Sequence, residues 1–216
     1  MSALLRNFIP PAIPRPAPRD DVRPSGPKGR GLANLCAAAL LLACGTAGAE
    51  VWPIDGARSH AQFSVRTLWF THERGEFKTM YGELRNIDHE RDVVDASIDA
   101  RSLDMDDEDA LQEARGPAFF EVDKYPRIHF TSAPFPATAL RDGGTLDGTL
   151  ELHGQRREVR FELDSSQCPE HPLQCSVRVR GRLSRSAFGM RAHRGWLSDR
   201  VSLDLEIVLA PPVAPR

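Results

Sequence analysis

Residues 145–163 alternate between apolar and polar side chains in two runs separated by a short break. The apolar or small residues fall on one parity in each run: Leu146, Gly148, Leu150 and Leu152 in the first, and Val159, Phe161 and Leu163 in the second. A period of two residues is typical of a half-buried strand. Gly154 and Gln155 interrupt the pattern, and a glycine in the first central place favours a type II′ turn. The stretch therefore predicts a β-hairpin with one apolar face and one charged face.

The same alternation recurs along the chain at residues 51–55, 60–70, 75–88, 92–103, 128–132, 176–183 and 201–209. Within residues 75–88 the apolar Phe77 and Leu84 lie on opposite parities, so either a bulge resets the register or two short strands meet there. The sum is about eight strands joined mostly by short turns, which is typical of a sandwich or of a closed barrel. Small residues recur on the inner parity, namely Ala96, Ala100, Gly148 and Gly181. We therefore predict an all-β fold, an antiparallel up-and-down β-barrel with interior space.

Residues 104–115 break the alternation. They are acidic at the start and basic at the end, which complements the dipole of a short helix. Asp104, Asp106 and Glu108 also resemble the start of a calcium-binding loop. That loop would need a glycine at its sixth position and a bidentate acid where Arg115 stands. We therefore predict one short helix here and no metal site.

An apolar run near the N-terminus stands apart from the predicted strands. Residues 32–43 are almost wholly apolar, basic residues precede them, and Ala47-Gly48-Ala49 follows. The run is too short to span a bilayer as a helix but matches the h-region of a signal peptide with an A-x-A cleavage site. We expect residues 1–49 to be a signal peptide with a long N-terminal extension, residues 50–210 to be the barrel domain and residues 211–216 to be a tail.

Leu41-Leu42-Ala43-Cys44 offers an alternative fate for the leader. The segment resembles a bacterial lipobox, which would acylate Cys44 and tether the protein to a membrane. Leucine is not the favoured residue before the small one, and the A-x-A site is good, so we prefer the untethered periplasmic product.

Cleavage after Ala49 leaves two cysteines, Cys168 and Cys175, which flank a short loop between two predicted strands. In an oxidising compartment we expect a disulfide between them, and a ring this short stabilises the fold by roughly 2 to 3 kcal/mol. Cleavage also leaves 22 Lys and Arg against 28 Asp and Glu, a net charge near −6. This acidic balance argues against nucleic acid as a partner.

The order of several short motifs resembles the YceI family. The motifs are Ile54-Asp55, Phe63-Ser64-Val65, Gly75-Glu76-Phe77, Phe119-Phe120, residues 125–132 (YPRIHFTS), residues 146–154 (LDGTLELHG) and residues 185–190 (RSAFGM). The resemblance spans residues 51–209. It implies a lipocalin-like barrel, usually exported to the bacterial periplasm, whose apolar tunnel binds a polyisoprenoid such as a prenyl phosphate or an isoprenoid quinone. Binding without catalysis is the function implied, with membrane contact for ligand exchange, in a monomer or a homodimer.

The residues predicted to contact such a ligand are the inward-facing apolar ones and Arg185. They are Phe63, Val65, Phe77, Ile98, Phe119, Phe120, Phe130, Leu150, Leu152, Phe161, Val179, Leu183, Arg185, Phe188, Leu203 and Leu205. Apolar walls around a cavity bind apolar ligands because contact removes apolar area from water. Taken singly, each of these apolar residues also fits simple core packing.

Three places depart from the family pattern. The family usually opens its first long strand with His-Ser, ends it with His, and has His-Leu before the aromatic pair. Here those places hold Arg58-Ser59, Thr67 and Glu113-Ala114. Head-group contacts made by those histidines are therefore not carried over to this chain.

Arg185 continues the inward parity of Leu183. Burying an isolated charge is costly, so Arg185 must pair with an acid, reach the mouth of the barrel, or meet an anionic or carbonyl head group. A structural salt bridge is the preferred interpretation, and contact with a head group is the alternative.

Two other classes of function remain as alternatives. A periplasmic hydrolase using Ser186 and His193 rests only on their proximity in sequence, since the chain has neither an H-E-x-x-H nor a G-x-S-x-G motif. A structural or partner-binding barrel without a ligand could use the loop at residues 191–199, which carries Trp196.

Overall fold

The computed structural model describes residues 50–67 and 71–212. The predicted signal peptide, the lipobox at Cys44 and residues 213–216 lie outside this part of the chain. The helices in these residues are all too short or too polar to span a membrane.

The described residues form one antiparallel sheet and two helices. The strands are β1 (Val51–Pro53), β2 (His60–Thr67), β3 (His72–Phe77), β4 (Met80–Asn86), β5 (Arg91–Asp99), β6 (Leu103–Asp104), β7 (Arg127–Ser132), β8 (Phe135–Pro136), β9 (Gly144–Leu152), β10 (Gln155–Leu163), β11 (Val177–Ser184) and β12 (Leu197–Ile207). Helix α1 spans Glu108–Arg115 and helix α2 spans Ala139–Asp142. Neighbouring strands follow the order β1-β4-β5-β7-β9-β10-β11-β12-β2-β3-β6, and β8 pairs with β5.

The sheet closes on itself because β3 and β4 are two halves of one bent strand. Only Lys78 and Thr79 separate them, while β3 pairs with β2 and β4 pairs with β5. Counting β3 and β4 as one and setting aside the short β1, β6 and β8, eight strands surround the interior. The predicted barrel is confirmed, and the parity change in residues 75–88 marks two strands that meet.

The central hairpin is confirmed, but its turn differs from the prediction. Gln155 pairs with Leu152, so the two central turn residues are His153 and Gly154. Both have positive φ, at 51° and 67°. This is the type I′ pattern, which matches the twist of the flanking strands, and the predicted type II′ turn was one residue out of register.

Helix α1 starts later than predicted. Leu103 and Asp104 form β6, and Asp107 caps the helix by accepting a hydrogen bond from the Ala110 N–H at 2.8 Å. The cap at Asp107 sets the helix start, because its side chain satisfies a backbone donor that has no partner within the first turn. Helix α2 has no counterpart in the sequence prediction, because its four residues are too few to show a helical period.

Inward-facing glycines accommodate aromatic rings. The rings occupy the space that a larger side chain would take: Phe63 at Gly75, Phe130 at Gly148 and Phe161 at Gly181. The prediction that small inner residues leave open space is therefore wrong for Gly148 and Gly181. Ala96 does border the cavity described below.

We expect Gly181→Ala to destabilise the fold. The added methyl group would overlap the Phe161 ring on the neighbouring strand, and overpacking of this kind costs about 1–3 kcal/mol. Gly195→Ala is the matched control, since no atom lies within 4 Å of the added carbon. Urea unfolding of the two variants measures the difference, and equal stability would show that Phe161 can move aside.

Asp92 is a buried carboxyl at the start of β5, with 4% of its surface exposed. The Asn86 amide donates a hydrogen bond to it at 2.7 Å. Burial raises the pKa of Asp92, and the bond from Asn86 offsets part of that rise.

We expect the raised pKa of Asp92 to weaken the fold as pH rises. The folded state holds this proton more tightly than the unfolded state, so the stabilisation is complete below the unfolded pKa and is lost as pH rises through the folded pKa. Asp92→Asn, whose amide oxygen can still accept from Asn86, should raise the unfolding free energy clearly at neutral pH and little at pH ~4. Urea unfolding at both pH values tests this prediction. An equal increase in unfolding free energy at both pH values would mean that ionisation of Asp92 does not cause the increase.

The predicted disulfide is confirmed. Cys168 and Cys175 are bonded across the loop between β10 and β11. It closes a ring at one end of that strand pair.

Candidate ligand-binding cavity

A cavity of about 600 Å³ occupies the interior of the barrel. Its walls come from the inward parity of the strands and from the side of α1 that carries Ala110 and Ala114. The apolar and polar faces of each strand separate because side chains alternate across a pleated sheet. The volume lies within the range of about 300–1,000 Å³ that is typical of small-molecule sites.

All sixteen predicted contact residues border this cavity. The structure places them around one space, and contact with a ligand stays a prediction for each. Five of the seven aromatic members form two groups. Phe63, Phe77 and Phe120 have ring centroids 5.4–5.8 Å apart, and Phe130 and Phe161 are 5.3 Å apart.

Part of the cavity lining was not predicted from the sequence. The additional apolar residues include Ile54, Ala61, Met80, Leu84, Met105, Ala110, Ala114, Ile128, Phe135, Leu140, Leu163, Met190 and Leu209. Strand parity could have found Ala61, Ile128 and Leu163. The contributions of Met105 and α1 had no sequence signal, because they depend on where the helix packs against the barrel.

The cavity opens to solvent where its lining residues are exposed. We call Thr67, Glu73, Glu113, His193 and Trp196 the cavity mouth, since all five border the cavity. Side-chain exposure reaches 51% for Glu113 and 48% for His193, and Trp196 is 68% exposed. Polar groups are thus concentrated at the opening, and the interior is apolar.

Glu113 and His193 form a polar pair at the mouth. Their Oε1 and Nε2 atoms lie 2.6 Å apart, although the residues are 80 positions apart in the sequence. The His193 ring also stacks on Phe119, with centroids 6.0 Å apart. These contacts join the end of α1 to the loop that precedes β12.

Arg185 is buried beside the mouth, with 3% of its surface exposed. Its guanidinium donates to four backbone carbonyls: Nε to Ser198, Nη1 to Met190 and Ala192, and Nη2 to Leu197, at 2.6–3.0 Å. Burial lowers the pKa of Arg185 from its usual value, and the nearby Asp199 carboxylate opposes that effect.

The preferred salt bridge for Arg185 is therefore wrong. Among the described residues no carboxylate lies within ion-pair distance of the guanidinium. Instead, carbonyl oxygens of residues 190–198 accept hydrogen bonds from four of its five N–H groups. Arg185 fixes the loop that forms one side of the mouth.

The hydrolase residues have other partners. His193 is bonded to Glu113, while the Ser186 hydroxyl lies 3.1 Å from that of Ser184, and Asp199 accepts from the Ser186 N–H at 3.0 Å. The geometry does not form the nucleophile and base pair that the hydrolase hypothesis requires. In the part of the chain that is described, no three His, Cys, Asp or Glu side chains cluster as metal ligands would.

The structure is that of a lipocalin-like β-barrel with an apolar internal cavity that opens at one end. The YceI-like domain model matches residues 52–209. The chain belongs to the YceI family, as its motifs indicated.

A curated relative is similar in sequence, and two solved structures are similar in fold. The chain is 26% identical over 188 residues to Protein YceI of Shigella flexneri, covering 82% of this chain and 96% of the relative. Its fold is similar to that of BcnA from Burkholderia cenocepacia, with a TM-score of 0.61 at 19% identity over 73% of this chain and 99% of BcnA. It is also similar to a polyisoprenoid binding domain from Saccharophagus degradans, with a TM-score of 0.57 at 15% identity over 74% of this chain and 98% of that domain.

Proposed function

We propose that this protein binds a long polyisoprenoid, either an isoprenoid quinone or a prenyl phosphate, inside the barrel and carries it without chemical change. The observation that carries this proposal is the apolar cavity of about 600 Å³ with an opening at one end. A flexible apolar chain gains roughly 25 cal/mol for each Å² of its surface removed from water. In this proposal the tail lies inside the cavity and the polar residues at the mouth contact the head group.

We further propose that the protein acts in the bacterial cell envelope. The predicted signal peptide and the disulfide between Cys168 and Cys175 support export to the periplasm. Cell fractionation with N-terminal sequencing of the mature protein tests this. A mature chain that starts near Glu50 supports the untethered form, one that starts at an acylated Cys44 supports the lipoprotein, and one that retains residues 32–49 contradicts both.

Solvent extraction and mass spectrometry of the protein purified from its native host test the proposed ligand. A stoichiometric isoprenoid supports binding, and its mass distinguishes a quinone from a prenyl phosphate. An extract without isoprenoid, from protein that also takes up none when one is added, would contradict the proposal and favour a barrel that binds partners instead.

A further inference from the structure

The outer surface beside the cavity mouth carries exposed arginines. Arg66 lies on β2 next to Thr67, and Arg74 lies on β3 next to Glu73. Arg191 and Arg194 lie in the loop before β12, whose first residue pairs with Thr67. The strand pairing thus brings arginines from three separate segments to one end of the barrel.

These four arginines differ from those along the barrel wall. On the wall, Arg160 pairs with Asp147, Arg178 with Asp204 and Arg180 with Asp164. Arg66, Arg74, Arg191 and Arg194 form no ion pair with any carboxylate in the described residues. Three carboxylates lie near the mouth: Glu73, Glu113, which bonds to His193, and Asp199, which accepts from the Ser184 hydroxyl. The four arginines outnumber these three carboxylates, so positive charge is available at this end although removal of residues 1–49 leaves a net charge near −6.

Trp196 stands among these arginines. It is the most exposed of the large apolar side chains in the described part of the chain, and it also borders the cavity. Tryptophan favours the boundary between water and lipid, because its ring is apolar and its indole N–H still needs a polar partner. An exposed tryptophan with nearby arginines is the combination that binds anionic lipid surfaces.

We propose that the cavity mouth docks on an anionic lipid bilayer. Trp196 enters the head-group region, and Arg66, Arg74, Arg191 and Arg194 contact lipid phosphates. The opening then faces the membrane, and an apolar ligand passes between bilayer and cavity without crossing water. This inference rests on the proposed function for its purpose, but docking itself can be measured without any isoprenoid.

Vesicle co-sedimentation of the purified protein tests docking. The probes are vesicles of phosphatidylcholine alone and of an equimolar mixture with phosphatidylglycerol. We expect binding only to the anionic mixture and its loss at high salt, because salt screens exposed charges. Equal binding to both vesicle types, or to neither, would overturn the proposal.

Paired variants locate the docking surface. Each basic residue near an anionic surface contributes about a fivefold gain in affinity, so Arg191→Gln with Arg194→Gln should weaken binding by about 25-fold. Arg160→Gln with Arg178→Gln removes the same charge from the wall and should change binding much less. Equal weakening by both pairs would contradict docking through the mouth and indicate that binding depends only on the total charge of the protein.

Trp196→Ala tests the apolar contact. We expect it to weaken binding to anionic vesicles by about tenfold, since burial of a large aromatic side chain is lost. Tyr81→Ala is the matched control, because Tyr81 is also exposed but lies on β4, away from the mouth. Unchanged binding of Trp196→Ala would overturn the insertion of this side chain.

Two outcomes separate docking from the proposed function. Docking variants that lose vesicle binding but keep isoprenoid in their solvent extracts would support both ideas. If the wild-type protein binds anionic vesicles through the mouth but never contains isoprenoid, the docking proposal would stand and the proposed carrier function would be contradicted. Circular dichroism and thermal unfolding of each variant confirm that the exposed substitutions leave the barrel folded.

Discussion

Leu203→Trp is expected to reduce the bound isoprenoid at least tenfold. Leu203 borders the cavity from β12, where it lies between Gly181 on β11 and Phe63 on β2. A tryptophan there extends into the space that the ligand tail would occupy, and packed walls do not move aside for it without cost. Quantitative mass spectrometry of solvent extracts from protein purified in parallel measures the loss.

Ser202→Trp is the matched control for this substitution. Ser202 is the preceding residue on β12 and is exposed on the outside of the barrel. The same side chain therefore adds bulk outside the cavity and should leave the ligand content unchanged. If Leu203→Trp is folded but keeps a full complement of isoprenoid, the ligand does not lie in the barrel interior at this level.

Arg185→Gln is expected to lower the unfolding free energy by about 2–6 kcal/mol, because at least two carbonyl acceptors lose their donor. Arg185 donates to four carbonyls of residues 190–198, and glutamine can replace two of these bonds at most. The remaining buried acceptors would lack a donor, at roughly 1–3 kcal/mol each. Urea unfolding monitored by circular dichroism measures the change.

Arg182→Gln controls for the loss of charge near the end of β11. Arg182 is exposed and faces the outside, so its replacement should change stability by less than ~0.5 kcal/mol.

One result for Arg185→Gln would reverse the interpretation of Arg185. If Arg185→Gln keeps wild-type stability but loses isoprenoid, the guanidinium contacts a head group and does not mainly support the loop.

Much of the barrel could be predicted because it depends on local alternation. In β9, Leu146, Gly148, Leu150 and Leu152 are buried in turn, as their parity indicated. The wrong predictions concern positions whose surroundings depend on contacts with other strands. Gly148 and Gly181 border aromatic rings on other strands, and a sequence pattern does not distinguish a seated ring from empty space.

Prediction from the sequence was limited in the same way for the contacts of Arg185 and of the cavity mouth. The inward direction of Arg185 followed from the parity of β11, but its partners are carbonyls of a loop whose path the sequence did not reveal. The family usually has a histidine at the position of Glu113. Here Glu113 bonds to His193 from a distant segment, so an imidazole is present at the mouth from a different part of the chain.

Alternation and motif order were enough to predict which residues face inward along most of the strands, that Cys168 and Cys175 could meet, and which family the chain belongs to. Each of these depends on neighbours within a few positions or on the order of motifs. The size of the cavity, the position of α1 across its lining and the grouping of Trp196 with arginines from three segments were decided only by the tertiary structure. The physical reason is that closure of the sheet brings together side chains far apart in sequence, and no local period records which of them will meet.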